Sequence, residues 1–127
     1  MKQMIQTLNA PQPSGPYSQG VQSGNFIFIS GQDGVHPNGD SAGNTIAAQA
    51  AASLENIKGI LAEKNASLSN IVHMTCHLAN LNEENVREFN NVYASYFEDV
   101  EIKPARITIG SQMLGVKVEI TAIASVN

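Results

Sequence analysis

Cations are scarce in this sequence. Seven Lys plus Arg stand against eleven Asp plus Glu among 127 residues, for a formal net charge of −4, and no two basic residues are adjacent. A nucleic-acid-binding surface displaces counterions from phosphates with clustered Lys and Arg, so nucleic acid is not an expected partner. Cysteine is scarcer still: Cys76 stands alone, which excludes an internal disulfide and suits a reducing compartment. No apolar run reaches the length of a membrane span, and Met1 to Gln6 lacks the apolar core of a signal peptide. Internal repeats, low-complexity tracts and linkers are also missing. The expectation is one cytoplasmic domain over residues 1–127, large enough to bury its own core, with no membrane partner.

What is present is organised around the last quarter. Ile107 and Ile109 alternate with Arg106 and Thr108, and Val116, Val118, Ile120 and Ala122 alternate with Lys117, Glu119 and Thr121. That is the period of strands with one buried face. Only a short loop separates the two strands, so the pattern predicts a β-hairpin. Keeping both apolar sets on one face fixes the pairing parity, and one register that satisfies it pairs Gly110 with Gly115 and sets Arg106 opposite Glu119. Two readings of that pair stay open: a cross-strand ion pair contributing roughly 0.2–1 kcal/mol, or a site in which a planar guanidinium grips a carboxylate beside a group that orients water.

Earlier in the chain, Met4–Leu8 predicts a first edge strand, and the Pro- and Gly-rich stretch 9–24 a long loop. Asn25–Ser30 is a nearly continuous β-branched and aromatic run, which predicts a central strand covered on both faces. Gly31–Gly43 is turn-rich, with Asn38-Gly39 as a tight-turn signal. Ala47, Ala50, Leu54, Ile57 and Leu61 recur at helical spacing and predict a helix over 46–64, capped by Asn44 or Thr45. Its Gly59 costs about 1 kcal/mol relative to Ala.

His73 and His77, four apart, would share a face of a helix and could chelate a metal. Val72, Met74, Cys76 and Leu78 instead alternate with Ile71, His73, Thr75 and His77, which argues strand. The two rings then stand ~13 Å apart, too far for one ion, and no metal is expected. Cys76 reads as a buried structural thiol beside Met74. Asn80-Leu81-Asn82-Glu83 has capping-box spacing ahead of a second helix striped by Val86, Phe89, Tyr93, Tyr96 and Phe97. The element order is βββαβαββ if residues 31–43 hold a short strand. That order predicts an α+β layer, with one mixed sheet and both helices on one face. The other face is expected to bear Arg106, Thr108, Lys117, Glu119, His73 and His77.

Pro104-Ala105-Arg106 with Val116-Lys117-Val118-Glu119-Ile120 resembles the C-terminal signature of the RidA (YjgF/YER057c/UK114) family of reactive-intermediate deaminases. The likeness continues through Gly15-Pro16-Tyr17-Ser18-Gln19-Gly20, Ile29-Ser30-Gly31-Gln32, Ala48-Gln49-Ala50, Leu54-Glu55-Asn56-Ile57 and Phe89-Asn90 with Tyr93. It covers nearly the whole chain in the family's order.

The resemblance implies a chorismate-mutase-like RidA fold and a homotrimer with pockets between subunits. It further implies hydrolysis of 2-imino and enamine acids, such as 2-aminoacrylate, 2-iminopropanoate and 2-iminobutanoate, to 2-keto acids and ammonia without metal or organic cofactor. Arg106 would hold the substrate carboxylate and Glu119 orient water. Tyr17, Ser30, Gly31, Asn90 and Thr108 would complete the site. Thr108 stands where many members have cysteine, the loop after Gly110 is short, and Gln32-Asp33-Gly34 replaces more usual apolar residues. Two further functions remain: a non-catalytic sensor of 2-keto or amino acids, and a translation-inhibitor or ribonuclease-like role, which the acidic balance disfavours.

Overall fold

The computed structural model describes residues 1–127. Its elements are β1 (Gln3–Ile5), β2 (Gly20–Ser23), β3 (Phe26–Asp33), α1 (Ile46–Ala62), β4 (Ile71–Leu78), α2 (Glu83–Phe97), β5 (Ala105–Gly110) and β6 (Val118–Ser125), with a 3-10 turn at Leu68–Asn70. The βββαβαββ order therefore holds, but the additional strand before α1 is β2, inside the stretch expected to be loop, and not a separate strand within 31–43. Val21 and Gln22 pair with Phe28 and Ile27 of β3. The 31–43 stretch supplies the last three residues of β3 and, beyond them, only an isolated bridge between Val35 and Ser41. Ladder pairing on an available edge outweighs the flanking glycines.

Local chemistry sets the helix ends. The Thr45 side chain accepts from the Ala48 N–H and caps α1. For α2 the cap is Asn82, accepting from the Asn85 N–H at 2.8 Å, rather than the Asn80 expected from the capping-box spacing. Glu83 and Glu84 then occupy the first turn, where the positive end of the helix dipole favours them.

The six strands form one mixed sheet in the order β1-β2-β3-β6-β4-β5. β3 and β4 are each antiparallel to β6 and so parallel to one another. This makes β3-α1-β4 a split βαβ unit with β6 in the gap, and β4-α2-β5 a direct one. Both helices lie on the same face. Ile27, Ile29, Met74, Cys76, Leu78, Val118, Ile120, Ala122 and Ala124 bury against Leu54, Ile57 and Leu61 of α1 and Phe89, Tyr93 and Phe97 of α2. The first strand of that core corrects an expectation: β3 is interior to the sheet but covered on one face only, since Phe26 and Phe28 stay exposed.

The expected hairpin does not form. β4 lies between β5 and β6, pairing parallel with β5 (Met74↔Arg106, Cys76↔Thr108) and antiparallel with β6 (His77↔Glu119). The seven residues 111–117 cross the end of β4, tied down by Ser111 N–H to the Leu78 carbonyl at 2.9 Å and Ala79 N–H to the Lys117 carbonyl at 3.0 Å. Arg106 and Thr108 share the side of Met74 and Cys76, which is the helix side. The open face takes Ile107 and Ile109 instead. Arg106 and Glu119 are neither partners nor on one face. Lys117 also leaves the expected face, because its Nζ reaches back to the Asn44 carbonyl before α1 at 2.7 Å.

A bulge between Ile71 and His73 shifts the alternation in β4, so that Ile71 is buried and Val72 exposed. Strand geometry for His73 and His77 holds.

Gly59 has a tertiary reason. A Cβ there would lie 2.7 Å from the Asn9 carbonyl oxygen, so the loop after β1 crosses α1 at backbone contact. Although Ala is the better helix former, we expect Gly59→Ala to destabilise the fold by about 1–3 kcal/mol, read as a lower denaturant midpoint at unchanged slope.

Candidate active site

β5 is an edge strand, and α2 packs over it. The Arg106 guanidinium carbon lies 4.6 Å from the Tyr93 ring centroid and 5.8 Å from that of Phe89. These aromatics sit one turn apart on α2 and stack onward to Phe97. Cation–π attraction holds the guanidinium in place while leaving its N–H fork unused. The molecule's single ion pair is Lys58–Glu55 at 3.7 Å; Arg106 has no anionic partner. Beside it, Thr108 Oγ1 and Asn90 Oδ1 are buried without a hydrogen-bond partner, a costly state that a bound group would relieve. Both residues line an open cavity of about 640 Å³ together with Arg87 and Asn91.

Cys76, next to Thr108 across the ladder, is fully buried. Burial pushes its thiol up to about 12, against the opposing pull of Arg106, so no thiolate is available at neutral pH. We expect Cys76 to resist a disulfide reagent in the native protein and to react fully in denaturant. Burial also pushes the Tyr93 phenol up to about 12, with Cys76 adding to it and Arg106 opposing. The Tyr93 hydroxyl faces Met74 Sδ at 3.4 Å.

A second cluster forms on the open face. β3 carries a bulge in which Ser30 and Gly31 oppose a single residue of β6, and beyond it Asp33 pairs with Glu119. Gly31 lets the Glu119 carboxylate lie directly on the backbone, where a Cβ would overlap it. Glu119 pairs on its other side with His77, whose Nδ1 is 2.7 Å from Ser111 Oγ. Above them sits the 9–19 loop, ordered by the buried Gln19. Its side-chain amide accepts from the Thr7 N–H at 2.8 Å and donates to the Thr7, Ala10 and Pro11 carbonyls.

Ser30 ties this loop to β3 by donating to the Ser18 carbonyl at 2.6 Å. Its proton is thereby committed, and only its lone pairs face outward. Tyr17, half exposed, has its hydroxyl 3.2 Å from both the N–H and Oγ of Ser14. Tyr17, Ser30, Gly31, Asp33, His77 and Glu119 all line one cavity of about 790 Å³.

Residues 7–126 match the family model described as Endoribonuclease L-PSP. The chain belongs to the YjgF/RidA family. It is 42% identical over 127 residues to a RutC family protein of Pyrococcus horikoshii, covering 98% of both chains. It is 37% identical over 127 residues to the Escherichia coli protein named "Putative reactive intermediate deaminase TdcF", covering 98% of this chain and 97% of that one. The crystal structure of E. coli TdcF with bound serine superposes with a TM-score of 0.90 at 34% identity, covering 98% and 99% of the two chains.

Against this RidA-family background, the seven residues singled out in the sequence fall into two groups. Arg106, Thr108 and Asn90 gather at the β5–α2 edge; Tyr17, Ser30, Gly31 and Glu119 gather on the open face. The sheet lies between them. Asp33, His77 and Ser111 were not anticipated as site residues. Ser-Gly at the end of β3 is a recognisable bulge signal, and with it Asp33 could have been placed beside Glu119. The neighbourhood of His77 required knowing that β4 inserts next to β6.

Proposed function

We propose that the protein hydrolyses 2-imino acids and their enamine tautomers, including 2-aminoacrylate, 2-iminopropanoate and 2-iminobutanoate, to 2-keto acids and ammonia. The sites are composite and lie between the subunits of a cytoplasmic homotrimer. The observation that carries this reading is the division of unpaired groups. One half offers a guanidinium with no anion and two orphaned acceptors. The other offers a carboxylate over a cavity whose lining includes no Lys or Arg. No single copy can bring Arg106 and Glu119 to one small substrate, whereas a neighbouring copy docked on the open face can. Phe26, Phe28 and Ile107, each about half exposed on that face, supply apolar contact for closed cyclic association.

The chemistry follows from these groups. Arg106 takes the substrate carboxylate through two N–H donors, fixing the iminium carbon in the neighbouring cavity. Asn90, Thr108 and Gly31 border the bound acid, and Tyr17 and Ser30 shape the wall. Glu119 accepts a proton from water as its oxygen adds to the iminium carbon, giving a carbinolamine. That proton passes to nitrogen, the C–N bond breaks, and R–C(=NH₂⁺)–COO⁻ plus H₂O becomes R–CO–COO⁻ plus NH₄⁺. The iminium carbon is already electrophilic, so positioning and one base suffice. Imines made in situ from alanine or 2-aminobutyrate by an amino-acid oxidase provide the test. Faster keto-acid release with native protein than without supports the reading, and an unchanged rate would refute it.

A further inference from the structure

Once Arg106 is assigned to the carboxylate and Glu119 to water, one charge in the open-face cavity is left over. Asp33 sits directly across the β3–β6 ladder from Glu119, and like charges so placed repel. Neither carboxylate has a cation within ion-pair distance, since the only ion pair lies elsewhere, and no side chain donates a hydrogen bond to Asp33. Burial raises its pKa, its own backbone N–H only partly offsetting this. The rest of the lining is hydrogen-bonding, with His77 pinned by Ser111 and with Ser14, Gln112 and Tyr17 around the rim. The apolar contribution comes from Met113, Leu114 and Val116 in the 111–117 loop. Such a pocket offers a cationic side-chain terminus an anionic partner and leaves apolar contact for its aliphatic stem.

We propose that Asp33 is a specificity-determining residue, directing this site toward 2-imino acids whose side chain ends in a cationic hydrogen-bond donor. The inference rests on the deaminase reading. The side chain enters the cavity past Glu119, and its terminal group meets Asp33 in a charge-assisted hydrogen bond. The hydrolytic step is unchanged.

Arginine and citrulline isolate the charge, because their side chains match in length and shape and differ in guanidinium against urea. With imines generated from each by an amino-acid oxidase, native protein should show kcat/KM about tenfold higher for the arginine-derived imine, one charge-assisted bond's worth of discrimination. In Asp33→Asn the arginine-to-citrulline ratio should fall to about one. The ratio is taken within each protein, so altered folding yield cancels. Equal kcat/KM for the two imines in native protein, alongside turnover of a leucine-derived imine, would overturn the assignment and leave the deaminase reading standing. A ratio that persists in Asp33→Asn would likewise remove Asp33. Turnover of none of the three while the alanine-derived imine is still hydrolysed would overturn this assignment alone; no turnover of the alanine-derived imine either would defeat the deaminase reading and this one with it.

Discussion

Mixing Arg106→Ala subunits with Glu119→Gln subunits should restore keto-acid release that neither variant shows alone. On the proposed composite site each homogeneous variant lacks one half of every site. Losing the carboxylate anchor, or the group that orients water, should lower kcat/KM by about 100-fold or more. In a mixed cyclic assembly some interfaces join the intact Arg106 edge of one copy to the intact Glu119 cavity of the next. With random assortment about a quarter of interfaces are of this kind, so about a quarter of the native rate should return after co-refolding or co-expression. The physical basis is the sheet itself. Arg106 follows the parity of buried Met74, whereas Glu119 follows that of His77. A mixture that stays as inactive as its components, with mixed assemblies verified, would overturn the site shared between copies.

The second large effect is expected at Gly31. Its backbone supports the Glu119 carboxylate, and a methyl group there would overlap both Oε2 and the carboxyl carbon. A flexible side chain can swing away, so Gly31→Ala should fold with nearly native stability. If Glu119 acts as proposed, the displaced carboxylate no longer holds water at the iminium carbon, and kcat should drop by about 100-fold. KM should change less than kcat, because in the proposed composite site the substrate carboxylate is held chiefly by the Arg106 guanidinium of the neighbouring copy. A melting temperature close to native with a collapsed kcat distinguishes this from simple unfolding. Retained kcat would mean that Glu119 is not the water-orienting group.

How far the sequence could be read depended on the range of the interaction. Local periodicity placed α1 within two residues at its C-terminus, separated a helical from an extended reading of His73 and His77, and marked β5 and β6 as strands. Pairing was another matter. Alternation says which residues of a strand share a side, not which strand lies next to it, and a short loop made the hairpin the economical reading. β4, whose partners in β6 lie from 40 positions (Leu78 with Val118) to 53 positions (Ile71 with Ala124) further along the chain, competes for the same ladder edge. Met74, Cys76 and Leu78 give it an apolar face that belongs under the helices, so insertion buries more than a hairpin would. The motifs for Arg106 and Glu119 were legible; their placement on opposite faces was not. Likewise Gly31 was readable as a motif residue, but its contact with Glu119 depends on the β3 bulge.

The position of β6 also bears on how the chain reaches this state. The last of the six strands in chain order, β6, lies in the middle of the finished sheet, with β3 on one flank and β4 on the other. During synthesis neither flank has its inner neighbour until that final stretch has left the ribosome. The nascent chain therefore carries two incomplete ladders whose closure requires contacts between distant segments, a slow event by its topology. Loss of β6 would split the sheet down its middle, instead of trimming its border.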